Sequence, residues 1–155
     1  MLHNVLCNQL EDLLEVLRDG PLEQVDVVLD NAGYELFTDC CLAEVLISLG
    51  YTKQVLFHCK QLPWSVSDAS IADFHWLIDQ LCKDSTGLDA RDLGKKWRER
   101  LLDGSWRLTD HPFWTLPHEY AKMEGVSPDL YNDLKRSSLI IFKSCLLYTS
   151  DAADE

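Results

Sequence analysis

The chain has 155 residues, of which 46% are hydrophobic and 26% charged, with a formal net charge of -12. That length and apolar content suffice for one domain with a true core, and an acidic chain without clustered basic residues is excluded as a nucleic-acid surface. No apolar run reaches the length of a membrane span, and the N-terminus lacks the basic-then-apolar order of a secretory signal.

Leu2, Val5, Leu6, Leu10, Leu13, Leu14 and Leu17 recur at helical spacing until Gly20-Pro21 ends the pattern. This helix starts almost at Met1 without a cap, so residues 1–20 are expected to be the end of a truncated helical region. Residues 25–29 are a short aliphatic run that stops on Asp30, Asn31 and Gly33. Leu36, Cys40, Ala43, Leu46 and Ile47 then mark one face of a helix that stops at Gly50, and residues 54–59 form a second apolar strand. Strand, helix and strand at these lengths predict a βαβ unit with parallel strands.

Residues 61–68 read as a loop. Either Asp68 or Ser70 can cap the next helix, whose apolar face is Ile71, Phe74, Leu77, Ile78 and Leu81. Residues 83–92 are polar, contain Gly87 and are expected to be a connector. Trp97, Leu101 and Leu102 lie on a charged helix ending at Gly104, and residues 106–109 suggest a brief strand. Residues 111–118 form an aromatic, proline-punctuated loop, and Pro128 opens a short helix. Residues 138–143 read as a buried strand.

The six cysteines, Cys7, Cys40, Cys41, Cys59, Cys82 and Cys145, show no framework spacing. Several fall in apolar patterns, where a free thiol behaves as a small hydrophobe. A reduced, cytoplasmic setting is expected, with the nucleus as a second compartment.

Asp30 and Asp68 each follow a strand of the same βαβ unit, and such positions meet at the carboxyl ends of parallel neighbours. With Asn31 they offer hard oxygen atoms suited to a divalent cation that keeps water positions. The N–H groups opening the next helix favour a phosphate. The residues alone leave two readings open, a cation site and a pair of helix caps. Glu35, one helical turn beyond Asn31, points back at the site or is simply solvated, and Asp39, a turn further on, faces solvent or supports its neighbours. His58 lies in a strand with no second histidine at ligand spacing and reads as a packed core residue. Trp64, Trp106, Phe113 and Trp114 read as packing residues, since the basic patch of a base-stacking platform is missing. Two templates fail: a haloacid-dehalogenase phosphatase needs Asp-x-Asp, where this chain has Ala32, and a glycine-rich nucleotide turn needs more than Gly33.

Leu29-Asp-Asn-Ala-Gly-Tyr-Glu-Leu-Phe-Thr-Asp39, Pro63-Trp-Ser-Val-Ser-Asp68, His111-Pro-Phe-Trp114 and Leu139-Ile-Ile-Phe-Lys143 together resemble the metal-dependent damage-control phosphatase family, in its sugar-phosphate branch. That branch is also called acidic residue methyltransferase. The resemblance runs in consistent order from about Leu17 to Lys143. It implies an α/β fold with a Rossmann-like three-layer α/β/α core of parallel strands over residues 23–143, here incomplete. It also implies hydrolysis of small phosphometabolites such as fructose 1-phosphate and fructose 6-phosphate, using Mn²⁺, Co²⁺ or Ni²⁺. By this similarity Asp30, Asn31 and Asp68 match the metal ligands, and Glu35 matches a ligand-contacting position. Neither nucleic acid nor membrane is expected as a partner, and the parent protein is expected to be monomeric. The family's second name implies the alternative, S-adenosylmethionine-dependent carboxyl methylation; a non-catalytic metal-binding fragment is the other.

One departure is large. In the family the strand matching 139–143 leads into a phosphate-binding Gly-Asp-Leu-Asn-Tyr-Arg-Lys motif, whereas here Ser144 begins a tail that resembles the translation of a sequencing adapter. Residues 144–155 are therefore expected not to be native, and the chain is expected to be an inactive internal fragment.

Overall fold

The computed structural model describes residues 8–83 and 87–143. The adapter-like tail, Cys7, Cys145 and the first part of the N-terminal helical pattern lie outside the described residues. Four parallel strands, β1 (Val25–Val28), β2 (Val55–Cys59), β3 (Trp106–Asp110) and β4 (Leu139–Phe142), form one open sheet in the order β3-β2-β1-β4. The registers Val25↔Val55, Val25↔Leu139 and Val55↔Trp106 run without slip along all three pairings. β1 is buried throughout, as a strand is when helices cover both sides of a parallel sheet, and its one polar residue, Asp26, pairs with His58.

Side-chain alternation divides that strand between two cores. Val25 and Val27, with Phe57 of β2, pack against α2 (Tyr34–Ser48), α3 (Ile71–Leu81) and α4 (Leu88–Asp103) through Leu36, Cys40, Phe74, Ile78 and Trp97. Val28 faces the other way, onto Phe113, Trp114, Met123, Leu130 and Leu134, which belong to the 3-10 turn Pro112–Thr115, α5 (Met123–Val126) and α6 (Pro128–Leu134). The result is the three-layer α/β/α arrangement expected. α1 (Leu10–Arg18) buries no residue fully and leans on the first core through Leu17.

Several sequence expectations change. The stretch 88–92 is not connector but the first turn of α4, beginning just after Gly87; its charged residues hide the pattern because only a narrow side, Gly94 and Trp97, is buried. Gly94 lets α4 pass close to the end of α3, since a Cβ there would stand 2.8 Å from that of Leu81. β4 is half-buried rather than buried, and among the described residues it pairs with β1 alone. The short stretch at 106–109 is a full parallel strand, with Trp106 in the core.

Cys40 and Cys59 are buried and free, and burial, reinforced by Asp110 and Asp73, pushes the Cys59 thiol up to about 12. These sulfurs act as apolar packing atoms. Among the described residues no helix is long and apolar enough to cross a membrane.

A charged clasp fixes α4 on α2: Arg100 Nη2 donates to Glu44 Oε1 at 2.9 Å, and Lys96 reaches the same oxygen at 2.8 Å. Burial alone would raise the Glu44 carboxyl, but Arg100, Lys96 and Ser48 draw it down from 4.5 to about 2. A carboxyl whose folded value is depressed stabilises most above its unfolded value and loses that contribution on acidification. Arg100→Ala is expected to cost about 1–3 kcal/mol at neutral pH. In denaturant titrations the gap between variant and parent should close as pH falls from 4.5 toward about 2.

Candidate functional site

In the order β3-β2-β1-β4 the chain first builds outward from β1 through β2 to β3, then returns to the opposite side of β1 for β4. Open α/β sheets bind ligands beyond the carboxyl ends of the strands at such a reversal. Asp30 and Asn31 lie just past the end of β1, and Lys143 just past the end of β4. Gly33, at φ 73° and ψ -131°, makes the turn from strand to α2 and caps it without a side chain. Only glycine adopts that conformation at low cost, and the opening N–H groups of α2 receive no side-chain cap from it.

Asp68 arrives by a different route from the one the strand pattern suggests. β2 ends at Cys59, and Asp68 is carried back by the following loop. That return runs antiparallel beside the end of β1: Ala32 N donates to Ser67 O at 2.7 Å, and Ala69 N to Asp30 O at 2.8 Å. Asn31 and Asp68 thereby become direct bridge partners. Neither aspartate caps a helix. Ser70 caps α3 in a reciprocal capping box with Asp73, and Gly33 holds the N-cap of α2. Asp68 Oδ2 instead accepts the amides of Trp64 and Ser65, each at 2.9 Å. Both amides use one oxygen, so Oδ1 remains for a further partner.

The Asn31 carboxamide is oriented by its surroundings, with its nitrogen facing carboxylates and its oxygen facing a hydroxyl. Nδ2 donates to Asp30 Oδ2 at 3.2 Å and to Glu35 Oε2 at 3.0 Å, while Oδ1 accepts from Ser67 Oγ at 2.6 Å. Asp30, Asn31, Glu35 and Asp68 thus share one neighbourhood, with both aspartates buried. Among the described residues no three His, Cys, Asp or Glu side chains converge on one ion position. The donor set is two carboxylates and one amide oxygen, a small hard-oxygen set that leaves several positions for water or phosphoryl oxygens. A divalent cation of the Mg²⁺ or Mn²⁺ type fits it.

One participant, Lys143, escaped the sequence reading. Of the two readings open for Asp39, facing solvent or supporting its neighbours, the structure takes the second, with Asp39 buried at 4% exposure. Lys143 donates to Asp39 Oδ1 at 2.9 Å and stands 3.0 Å from Glu35 Oε1. Burial raises the Glu35 carboxyl, but the hydrogen bond from Asn31 and the Lys143 ammonium outweigh it and leave it below its ordinary value. At Asp39 burial wins over Lys143, and the carboxyl stays raised. Burial lowers the Lys143 ammonium, yet its two carboxylates hold it above its usual value. The i, i+4 spacing of Glu35 and Asp39 on α2 carried the signal for Asp39. No local pattern carried one for Lys143.

The aromatic residues divide. Trp106, Phe113 and Trp114 are core, whereas Trp64 is 72% exposed on the loop that Asp68 pins. Tyr120 packs its ring on Phe142 and Trp114, and burial together with the Asp30 charge pushes its hydroxyl up. His58 sits in the core, its Nε2 2.9 Å from Asp26 Oδ2.

The model of the damage-control phosphatase ARMT1-like domain matches residues 1–150. The chain belongs to this family. It is 41% identical to the damage-control phosphatase ARMT1 of Xenopus laevis over 158 residues, which cover 97% of this chain and 36% of that protein. Against the Danio rerio protein of the same name identity is 45% over 132 residues, covering 84% and 29%. Against the human one it is 41% over 157 residues, covering 97% and 35%. The chain spans about a third of the length of these curated relatives. The strand-end cluster at the β1/β4 reversal, the candidate site, falls within the matched residues.

Asp68 should act first on its own loop. Asp68→Ala removes the acceptor of two amides, at an expected cost of about 1–3 kcal/mol. Hydrogen exchange at Trp64 and Ser65 should accelerate, while exchange in β1 stays unchanged.

Proposed function

We propose that the whole protein is a metal-dependent phosphatase acting on sugar phosphates such as fructose 1-phosphate and fructose 6-phosphate. The observation that carries this is the antiparallel return that sets Asp68 opposite Asn31 and next to Asp30, in a chain of the damage-control phosphatase family. Asp30, Asn31 and Asp68 would hold the cation, Mn²⁺ or else Co²⁺ or Ni²⁺. When bound, such an ion polarises a phosphoryl oxygen and lowers the pKa of water.

The residues of this chain supply the rest. Asn31 is held with its nitrogen on carboxylates, which turns its oxygen away from them; a cation would share that oxygen with Ser67 Oγ or displace the hydroxyl. The first N–H groups of α2, uncapped by Gly33, offer donors and a favourable dipole to a phosphate. Glu35 keeps a charged carboxylate beside Asn31, where it can accept from a sugar hydroxyl or a water. Burial of Asp30 and Asp68 strengthens their interaction with a cation relative to water. The partner is a small phosphometabolite, the working unit a single chain, and the compartment the cytoplasm.

The test is phosphate release from fructose 1-phosphate by the whole protein, with and without Mn²⁺. Activity should vanish on chelation and return with the metal. Asp30→Ala should lower it by more than about 100-fold, since loss of even a supporting group costs metal sites up to that factor. Undiminished turnover by Asp30→Ala would end the assignment.

A further inference from the structure

Lys143 lies beyond the end of β4, and its backbone N donates to Val28 O at 3.1 Å, which locks it against the strand that carries Asp30. Its ammonium spans two carboxylates of α2, Asp39 Oδ1 at 2.9 Å and Glu35 Oε1 at 3.0 Å. The other oxygen of Glu35 accepts from Asn31 Nδ2, which also donates to Asp30. A continuous row of charge-assisted hydrogen bonds therefore runs from buried Asp39 through Lys143, Glu35 and Asn31 to Asp30. Asp39 anchors the far end, its Oδ2 buried without a partner among the described residues. Glu35 Oε2 and Asp30 Oδ2 accept from the same Asn31 nitrogen, so a third carboxylate stands beside the set, already claimed on both oxygens.

We propose that Lys143 is a positioning residue that reserves Glu35 for Asn31 and so keeps it off the cation. The inference rests on the metal reading of Asp30, Asn31 and Asp68 and adds what limits that set to three protein donors. A hard cation surrounded by anionic oxygens takes any further carboxylate within reach, exchanging a water for it. Lys143 prevents this twice, by neutralising the Glu35 charge and by fixing Oε1 toward β4. Open positions on the ion are what a phosphoryl oxygen and an attacking water need. Through Glu35, Lys143 also holds the Asn31 amide with its nitrogen turned inward.

Mn²⁺ binding followed by calorimetry, with water-proton relaxation of the bound ion as second readout, tests this. In Lys143→Met the released Glu35 should tighten Mn²⁺ binding by about 3- to 10-fold and remove about one exchanging water, as expected when a carboxylate replaces a water on a hard cation. That variant strands Asp39 as a buried charge, so Asp39→Asn/Lys143→Met is measured beside it. The paired variant leaves net charge unchanged, and the same tightening in it reports release of Glu35 alone. Glu35→Gln on the Lys143→Met background should return affinity and water count to the parent values, and Lys143→Arg should resemble the parent. A purely structural lysine predicts the opposite sign: Mn²⁺ binding weakened or unchanged in folded Asp39→Asn/Lys143→Met, with no change in bound water, which overturns the inference while leaving the metal reading intact. Failure of the parent protein to bind Mn²⁺ overturns the metal reading, and the inference with it.

Discussion

The site depends on a short piece of antiparallel backbone inside an otherwise parallel sheet. Lys60 N donates to Ala69 O, Ala69 N to Asp30 O and Ala32 N to Ser67 O, all within 2.9 Å. These three bonds insert the returning loop beside the end of β1, at the level where β2 has already stopped. Without them Asp68 would hang on a surface loop and Asn31 would lack its bridge partner. Backbone pairing is a strong device for this purpose, because it fixes both partners to within a fraction of an ångström whatever the side chains do. Asp68 then reinforces the loop that carries it by accepting the Trp64 and Ser65 amides.

Charge balance is the second constraint. An acidic chain that gathers Asp30, Glu35, Asp39 and Asp68 at one end of a sheet faces repulsion and desolvation together. Lys143 offsets part of this for Glu35 and Asp39. Backbone amides offset it at Asp68, and the Asn31 amide at Asp30 and Glu35. A similar balance recurs away from the site, where Arg100 and Lys96 close on Glu44. There it serves only to hold α4 on α2.

The aromatic layer on the second side of the sheet ties the site to the core. Trp114 meets His58 edge-on, and Phe142 at the end of β4 touches both Trp114 and Tyr120. Packing of this kind adds about 0.5–1.5 kcal/mol per ring pair beyond buried area. It sets the position of the last residues of β4, and hence of Lys143.

Local chemistry in the sequence determined the elements: a β-branched run stopping on Asp30, a glycine where the chain must turn at positive φ, helical spacing through 36–47, and hard oxygens at 30, 31 and 68. Each is a preference exerted within a few residues, and so it was readable without coordinates. The start of α4 was not, because a charged helix with a narrow buried side has almost no apolar period. Tertiary structure alone decided that β4 lies beside β1, that Asp68 comes home through an antiparallel loop, and that Asp39 is buried under Lys143. Those are contacts across 104 residues in the case of Asp39 and Lys143. Their energy comes from desolvation and pairing between segments, quantities that no window of sequence contains.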